Sequence, residues 1–177
     1  MKKILIGSCM TLAASVVFAQ YKPVDNGSAV RFTIKNIGIN VDGSLKGLAG
    51  NINFDPQHLE SASFDVTVDA NTVNTDNSLR DDHLKKETYF DAGHYKTMHF
   101  VSTKITTSTK KDTYFVFGKL TIKNTTKDIS FPFTANASDA GYTFKGNFGI
   151  NRRDFNVGGA SIISDALQVS LNIVANK

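Results

Sequence analysis

The chain contains no tryptophan, one cysteine and three prolines in 177 residues. So few prolines exclude a Pro-rich linker or a collagen-like chain, and a single cysteine excludes a disulfide scaffold. Charges of both signs are interspersed, with no basic stripe or charge run of the kind nucleic acid requires, so a nucleic-acid partner is not expected. Long hydrophobic runs are also scarce. The one uncharged apolar stretch, Ile4 to Phe18, follows Met1-Lys2-Lys3 and ends in Val17-Phe18-Ala19. It falls short of the ~20 apolar residues a membrane span needs. It reads instead as a secretory signal over residues 1–19, cleaved after Ala19, and predicts an exported protein, periplasmic or secreted, with a single domain over residues 20–177. Cys9 leaves with that leader, so neither thiol chemistry nor a disulfide is expected afterwards.

What the chain has in quantity is phenylalanine, 13 residues of it, and strict alternation. Ala62, Phe64, Val66, Val68 and Ala70 alternate with Ser63, Asp65, Thr67 and Asp69. Phe32 and Ile34 alternate with Arg31, Thr33 and Lys35. The same period of two recurs at Gly50, Ile52 and Phe54; at Ile129, Phe131 and Phe133; and at Leu167, Val169, Leu171 and Ile173. Strands place successive side chains on opposite faces, so each run has one dry and one wet face. Eight or nine strands of six to ten residues are predicted. Turn-like segments separate many of them: Asp25-Asn26-Gly27, Asp55-Pro56-Gln57, Lys110-Lys111-Asp112 and Asp139-Ala140-Gly141. Short connections imply antiparallel neighbours and an all-β barrel or sandwich.

One segment lacks the alternation. Between Asp76 and Lys96, the run Asn77 to Lys86 fits a short helix capped by Asn77 or Ser78, with Leu79, His83 and Leu84 turned inward. So long a crossing is more often functional than idle. Strand positions on the outward face carry Arg31, Lys35, Asp65, Asp69, Lys119 and Lys123. Such charges cost up to ~2–4 kcal/mol each against lipid, which argues against stable membrane insertion. A barrel of about eight strands is either filled by side chains or holds one small ligand. The small inward residues Ala62, Ala70, Gly118, Ala135, Gly146 and Ala175 fit a cavity, and equally fit the accommodation of neighbouring rings.

Several segments in order resemble the YceI-like polyisoprenoid-binding family: Arg80-Asp81-Asp82-His83-Leu84, Tyr89-Phe90-Asp91, Met98 to Ser102, Gly118 to Ile122, and Ile150 to Phe155. The resemblance runs from about Tyr21 to Ala175. It departs at Lys96-Thr97, where the family often has Pro, and at Asn124 and Asn156, where it usually has Gly. It implies an extended, lipocalin-like antiparallel barrel holding a long-chain isoprenoid, a polyprenyl diphosphate or quinone, or a similar amphiphile. A dry interior suits such a tail, which gains ~25 cal/mol per Å² on leaving water.

Phe32, Phe54, Phe64, Phe100, Phe131, Phe133 and Phe148 are the expected wall residues, with plain core packing as the alternative. Arg80, His83 and Arg152 are candidates for a polar head group, because guanidinium forks suit phosphate oxygens. Arg80 has the alternative role of pairing with Asp81 or Asp154 to pin the crossing to the barrel. The spacing of His58, His83, His94 and His99 matches no common zinc pattern, so neither a metal nor any other cofactor is expected. The competing reading is a small exported hydrolase or isomerase built on Asp81, His83 and Ser102. No nucleophile elbow surrounds Ser102, and a non-enzymatic role is expected. If Gly118, Leu120 and Ile122 face inward, Phe115 and Phe117 face outward, which suggests a homodimer contact.

Overall fold

The computed structural model describes residues 20–177, so the expected signal over residues 1–19 lies outside the described residues. The alternating runs form eight antiparallel strands. They are β1 (Gln20–Asn36), β2 (Ile39–Asn53), β3 (Ser63–Asn74), β4 (Thr97–Thr107), β5 (Thr113–Ile122), β6 (Thr125–Ser138), β7 (Gly141–Asn151) and β8 (Ile163–Asn176). Each strand pairs with the next in sequence, and β8 returns to β1, so the sheet closes as a barrel. Closure satisfies both strand edges, as an exposed sheet edge cannot.

The strands are longer than expected, from 10 to 17 residues. Asp25-Asn26-Gly27 is the clearest reason. It does not end a strand; it lies inside β1, where the pairing with β8 shifts register between Val24 and Ala29, with Gly27 at φ 79°. A bulge uses the same residue types as a turn and lets the strand continue. The other three predicted turns do connect strands. Lys123, expected within a strand, instead lies in the β5–β6 turn at φ 55°, and its Nζ donates to the Glu87 carbonyl at 2.8 Å.

The connections divide between two ends. One end carries the start of β1, the β2–β3 segment, and the β4–β5 and β6–β7 turns. The other carries the Ile37-Gly38 hairpin, the long β3–β4 crossing, the β5–β6 turn and the β7–β8 segment. The crossing contains α1 (Ser78–Leu84), shorter than the expected Asn77–Lys86. Asn77 caps it, its side chain accepting from the Arg80 N–H at 3.0 Å. The buried Asp81 carboxylate accepts from the Thr75 N–H at 2.9 Å and the Thr75 hydroxyl at 2.5 Å, which ties the helix to the end of β3. Tyr89, Phe90 and Ala92 then pack with Phe155, Val157 and Ile122 in one apolar cluster. A short 3-10 turn (Arg152–Phe155) follows β7. Asn156 ends it at φ 57°, so the substitution for the usual Gly keeps the left-handed backbone, which Asn tolerates better than other side chains.

The first end is filled with rings. Phe54, just beyond β2, lies 5.2 to 6.3 Å, centroid to centroid, from Phe64, Tyr114, Phe133, Tyr142 and Phe144. Most of these contacts are edge-to-face, the arrangement favoured by the ring quadrupole. Burial in this plug raises the pKa of the Tyr114 and Tyr142 phenols. A phenol whose folded pKa is raised contributes stability that is fully present below the ordinary tyrosine value of ~10 and is lost as pH rises through the raised value. Phenolate absorbance from these two rings is therefore expected only above the ordinary range. Tyr114→Phe combined with Tyr142→Phe should remove that late-titrating component and flatten the alkaline fall in thermal midpoint. Loss of phenolate amplitude from the ordinary range, with the late-titrating component kept, would contradict the plug geometry.

Candidate ligand cavity

Above the plug the barrel is hollow. A cavity of ≈ 580 Å³ runs from Phe64, Phe133 and Phe144 to the end carrying α1. Its walls are mostly apolar. The inward residues of β8, Leu167, Val169, Leu171 and Ile173, are only half-buried although they point into the barrel. A filled core would leave such residues inaccessible; here they border a void.

Six of the seven expected wall phenylalanines line the cavity: Phe32, Phe64, Phe100, Phe131, Phe133 and Phe148. Phe131 stacks on Phe148 with centroids 4.5 Å apart, and Phe100 lies 5.8 Å from Phe131, so these three form a continuous aromatic wall. Phe54 is not on the wall. It lies at the centre of the plug, because the register of β2 carries it past the floor of the cavity. The small residues serve the rings as well as the space. A Cβ at Gly118 would stand 2.5 Å from Phe100 Cζ, and one at Gly146 would stand 3.2 Å from Phe131. Of the six small inward residues only Gly146 lines the cavity, and there it also makes room for a ring.

The polar candidates gather near the α1 end, in different states. Arg80 Nε donates to Thr75 Oγ1 and its Nη2 to the Thr75 carbonyl, both at 2.7 Å. Thr75, not Asp81 or Asp154, is thus what Arg80 pins. His83 is exposed, its ring edge-on to Tyr89 with centroids 5.0 Å apart. Both line the cavity. Arg152 also borders it, but is 5% exposed and holds the β7–β8 segment through four main-chain carbonyls, at Val157, Gly159, Ile163 and Ser164. Asn36 was missed by sequence reading. Its Oδ1 is buried without a hydrogen-bond partner at the end of β1, where the residue lines the cavity. A strand-end Asn reads as turn chemistry in sequence, so no signal marked it.

Asp81, His83 and Ser102 do not gather on the cavity. Asp81 is held by Thr75, and the Ser102 hydroxyl accepts from the Phe64 N–H at 2.8 Å; of the three, only His83 lines the void. His58, His94 and His99 each lie 2.7 to 2.8 Å from an aspartate, and among the described residues no three His, Cys, Asp or Glu side chains cluster as a metal would require. Phe115 and Phe117 face outward on β5, 38% and 41% exposed, as the alternation predicts.

The YceI-like domain matches residues 21–175. A UPF0312 protein of Yersinia enterocolitica is 29% identical over 161 residues, covering 86% of this chain and 83% of that protein. Among solved structures, Burkholderia cenocepacia BcnA superposes with a TM-score of 0.80 at 28% identity, over 86% of this chain and 98% of that one. A Campylobacter jejuni YCEI protein gives 0.69 at 29% identity, over 78% and 86%. A polyisoprenoid binding domain from Saccharophagus degradans shares the fold with a TM-score of 0.71 at 12% identity, over 90% and 99%. With its barrel matched from the first strand to the last, the chain belongs to the YceI-like domain family.

Proposed function

We propose that this is an exported binding protein that holds the tail of a long-chain isoprenoid, or a similar amphiphile, in the barrel cavity. The observation that carries the reading is the void itself: a closed barrel whose inward aliphatic and phenylalanine side chains keep accessible surface. The Saccharophagus degradans domain of the same fold, described as polyisoprenoid binding, supports it. An apolar tube needs no directed bonds to retain a prenyl tail, since withdrawal from water suffices. Phe32, Phe64, Phe100, Phe131, Phe133 and Phe148 are the wall in this reading, and Phe54 supports it from below.

The head group sits at the α1 end. Asn36 Oδ1 offers an unpaired acceptor, His83 a ring nitrogen, and Arg80 the Nη1 that its Thr75 bonds leave over. A hydroxylated or phosphorylated head satisfies this set. Arg152, with its donors engaged by carbonyls, holds the rim rather than the ligand. The role is binding rather than catalysis.

Native mass spectrometry of freshly purified protein should show a co-purifying lipid, released on denaturation. Because the chain has no tryptophan, Phe148→Trp gives a reporter inside the cavity. Its emission should change on addition of a prenyl alcohol or quinone. A lipid-free mass together with an unresponsive reporter would sink the proposal.

A further inference from the structure

Four aliphatic side chains stand far out of the surface: Ile37 at 74% exposure, Ile39 at 71%, Ile162 at 75% and Leu79 at 84%. They come from three separate segments, the β1–β2 hairpin, α1 and the residue before β8, and all lie at one end of the barrel. It is the end at which the cavity is lined by Asn36, Leu79 and Ile163. Asn36 pairs with both Ile39 and Ile163, which brings the hairpin beside the start of β8. The connections of the opposite end are polar: Pro56-Gln57-His58, Ser108 to Asp112, and Asp139-Ala140.

Ile37 stands out for a second reason. Its φ is 49° and that of Gly38 is 78°, a hairpin turn that favours Asn-Gly. A β-branched residue in the left-handed region is a backbone outlier. Ile37 is therefore exposed against the preference of water and of its own backbone, and belongs to neither apolar cluster.

We infer that Ile37, Ile39, Leu79 and Ile162 form a docking rim that seats the cavity mouth on the surface of a phospholipid bilayer. Isolated aliphatic tips around an apolar opening suit insertion ~5–10 Å into the headgroup and acyl boundary. A protein interface would instead show a contiguous packed patch with aromatic and arginine anchors. Leu79 joins the two surfaces, since it lines the cavity and is the most exposed of the four. The inference rests on the lipid-binding reading: a prenyl tail entering from a bilayer through such a rim never crosses water. Neighbouring charges are of both signs, Lys35, Lys85 and Lys86 against Asp42, Asp76 and Asp82, so attachment is driven by the aliphatic tips and not by net charge.

The test is flotation of the purified protein with phosphatidylcholine vesicles at low and high salt. The parent should float with the vesicles, with little loss at high salt. Ile37→Asn and Leu79→Ser should each lower partition about tenfold, the effect of withdrawing one aliphatic side chain from the boundary, and together more. Each variant is compared with a parent of the same N terminus, so residues 1–19 contribute equally. Phe115→Ser with Phe117→Ser, on the barrel flank, should float like the parent. Ile37→Asn should melt no lower than the parent, since Asn tolerates the turn. Cavity occupancy is read separately, with a prenyl alcohol delivered in detergent, and Ile37→Asn, at a residue that does not line the cavity, should retain it. A parent that stays in the soluble fraction, or rim variants that float as well as it does, overturns the rim and leaves the cavity reading intact. Loss of detergent-delivered uptake by the parent, with flotation preserved, overturns the cavity reading and leaves the rim.

Discussion

Arg152→Met is expected to lower the stability of the protein by about 3–5 kcal/mol, the cost of leaving a buried charged network without its cation. For a domain of this size that corresponds to a fall in thermal midpoint of roughly 10 °C. Beyond its four carbonyl partners, the guanidinium donates to Ser161 Oγ at 3.0 Å and forms an ion pair with Asp165 Oδ1 at 2.8 Å. Val157, Gly159 and Ser161 belong to the strandless segment before β8, and Ile163, Ser164 and Asp165 are the first residues of β8. Removing the side chain orphans several of them at once and frees the rim beside Ile162. Arg152→Lys should recover little, because one ammonium cannot reach acceptors spread around a planar fork. The neighbouring Arg153 is the control. It is half exposed and bonds only Asp165, at 2.7 Å, so Arg153→Ala should cost ~0–1 kcal/mol. Equal losses from the two arginines in denaturant melts would show that burial is not what makes Arg152 important.

Filling the cavity should separate binding from stability. Val66→Trp and Val169→Trp project from different walls into the void. Each indole occupies space that a bound tail would use. A tail loses ~0.8 kcal/mol for every methylene it can no longer bury. Displacing about four costs ~3 kcal/mol, roughly a hundredfold in affinity. The folded state should tolerate the change, because the added rings meet space and not packed neighbours; the melting midpoint is expected to hold or rise. The measurements are lipid retention by native mass spectrometry and thermal melts on the same preparations. Full retention by a variant carrying both indoles would place the ligand outside the barrel.

The faces of the strands were legible in the sequence because a period of two is a local property. Ala62 to Ala70 alternate in the structure as in the chain, and Phe115 and Phe117 fall outward for the same reason. The helix start was legible too, since capping by Asn77 involves only the next three residues. Strand ends were not. Glycine and asparagine mark bulges and turns alike, and only pairing with β8 shows that β1 continues through Gly27.

The candidate site divides along the same line. Alternation alone gave antiparallel strands, dry on one face and charged on the other, with phenylalanines gathered on the dry face; closure into a barrel is seen in the pairing of β8 with β1. Alternation did not determine where along the barrel axis each ring would lie. That depends on the stagger between strands, which sends Phe54 into the plug and Phe148 to the cavity wall though both alternate inward. The partners of Arg80 and Arg152, the orphaned oxygen of Asn36 and the placing of Ile37, Leu79 and Ile162 at one end of the barrel also appear only in the folded chain. The arginine partners are near in the chain but lie in segments with no period to read; the hairpin, α1 and the start of β8 share one end only because the barrel closes.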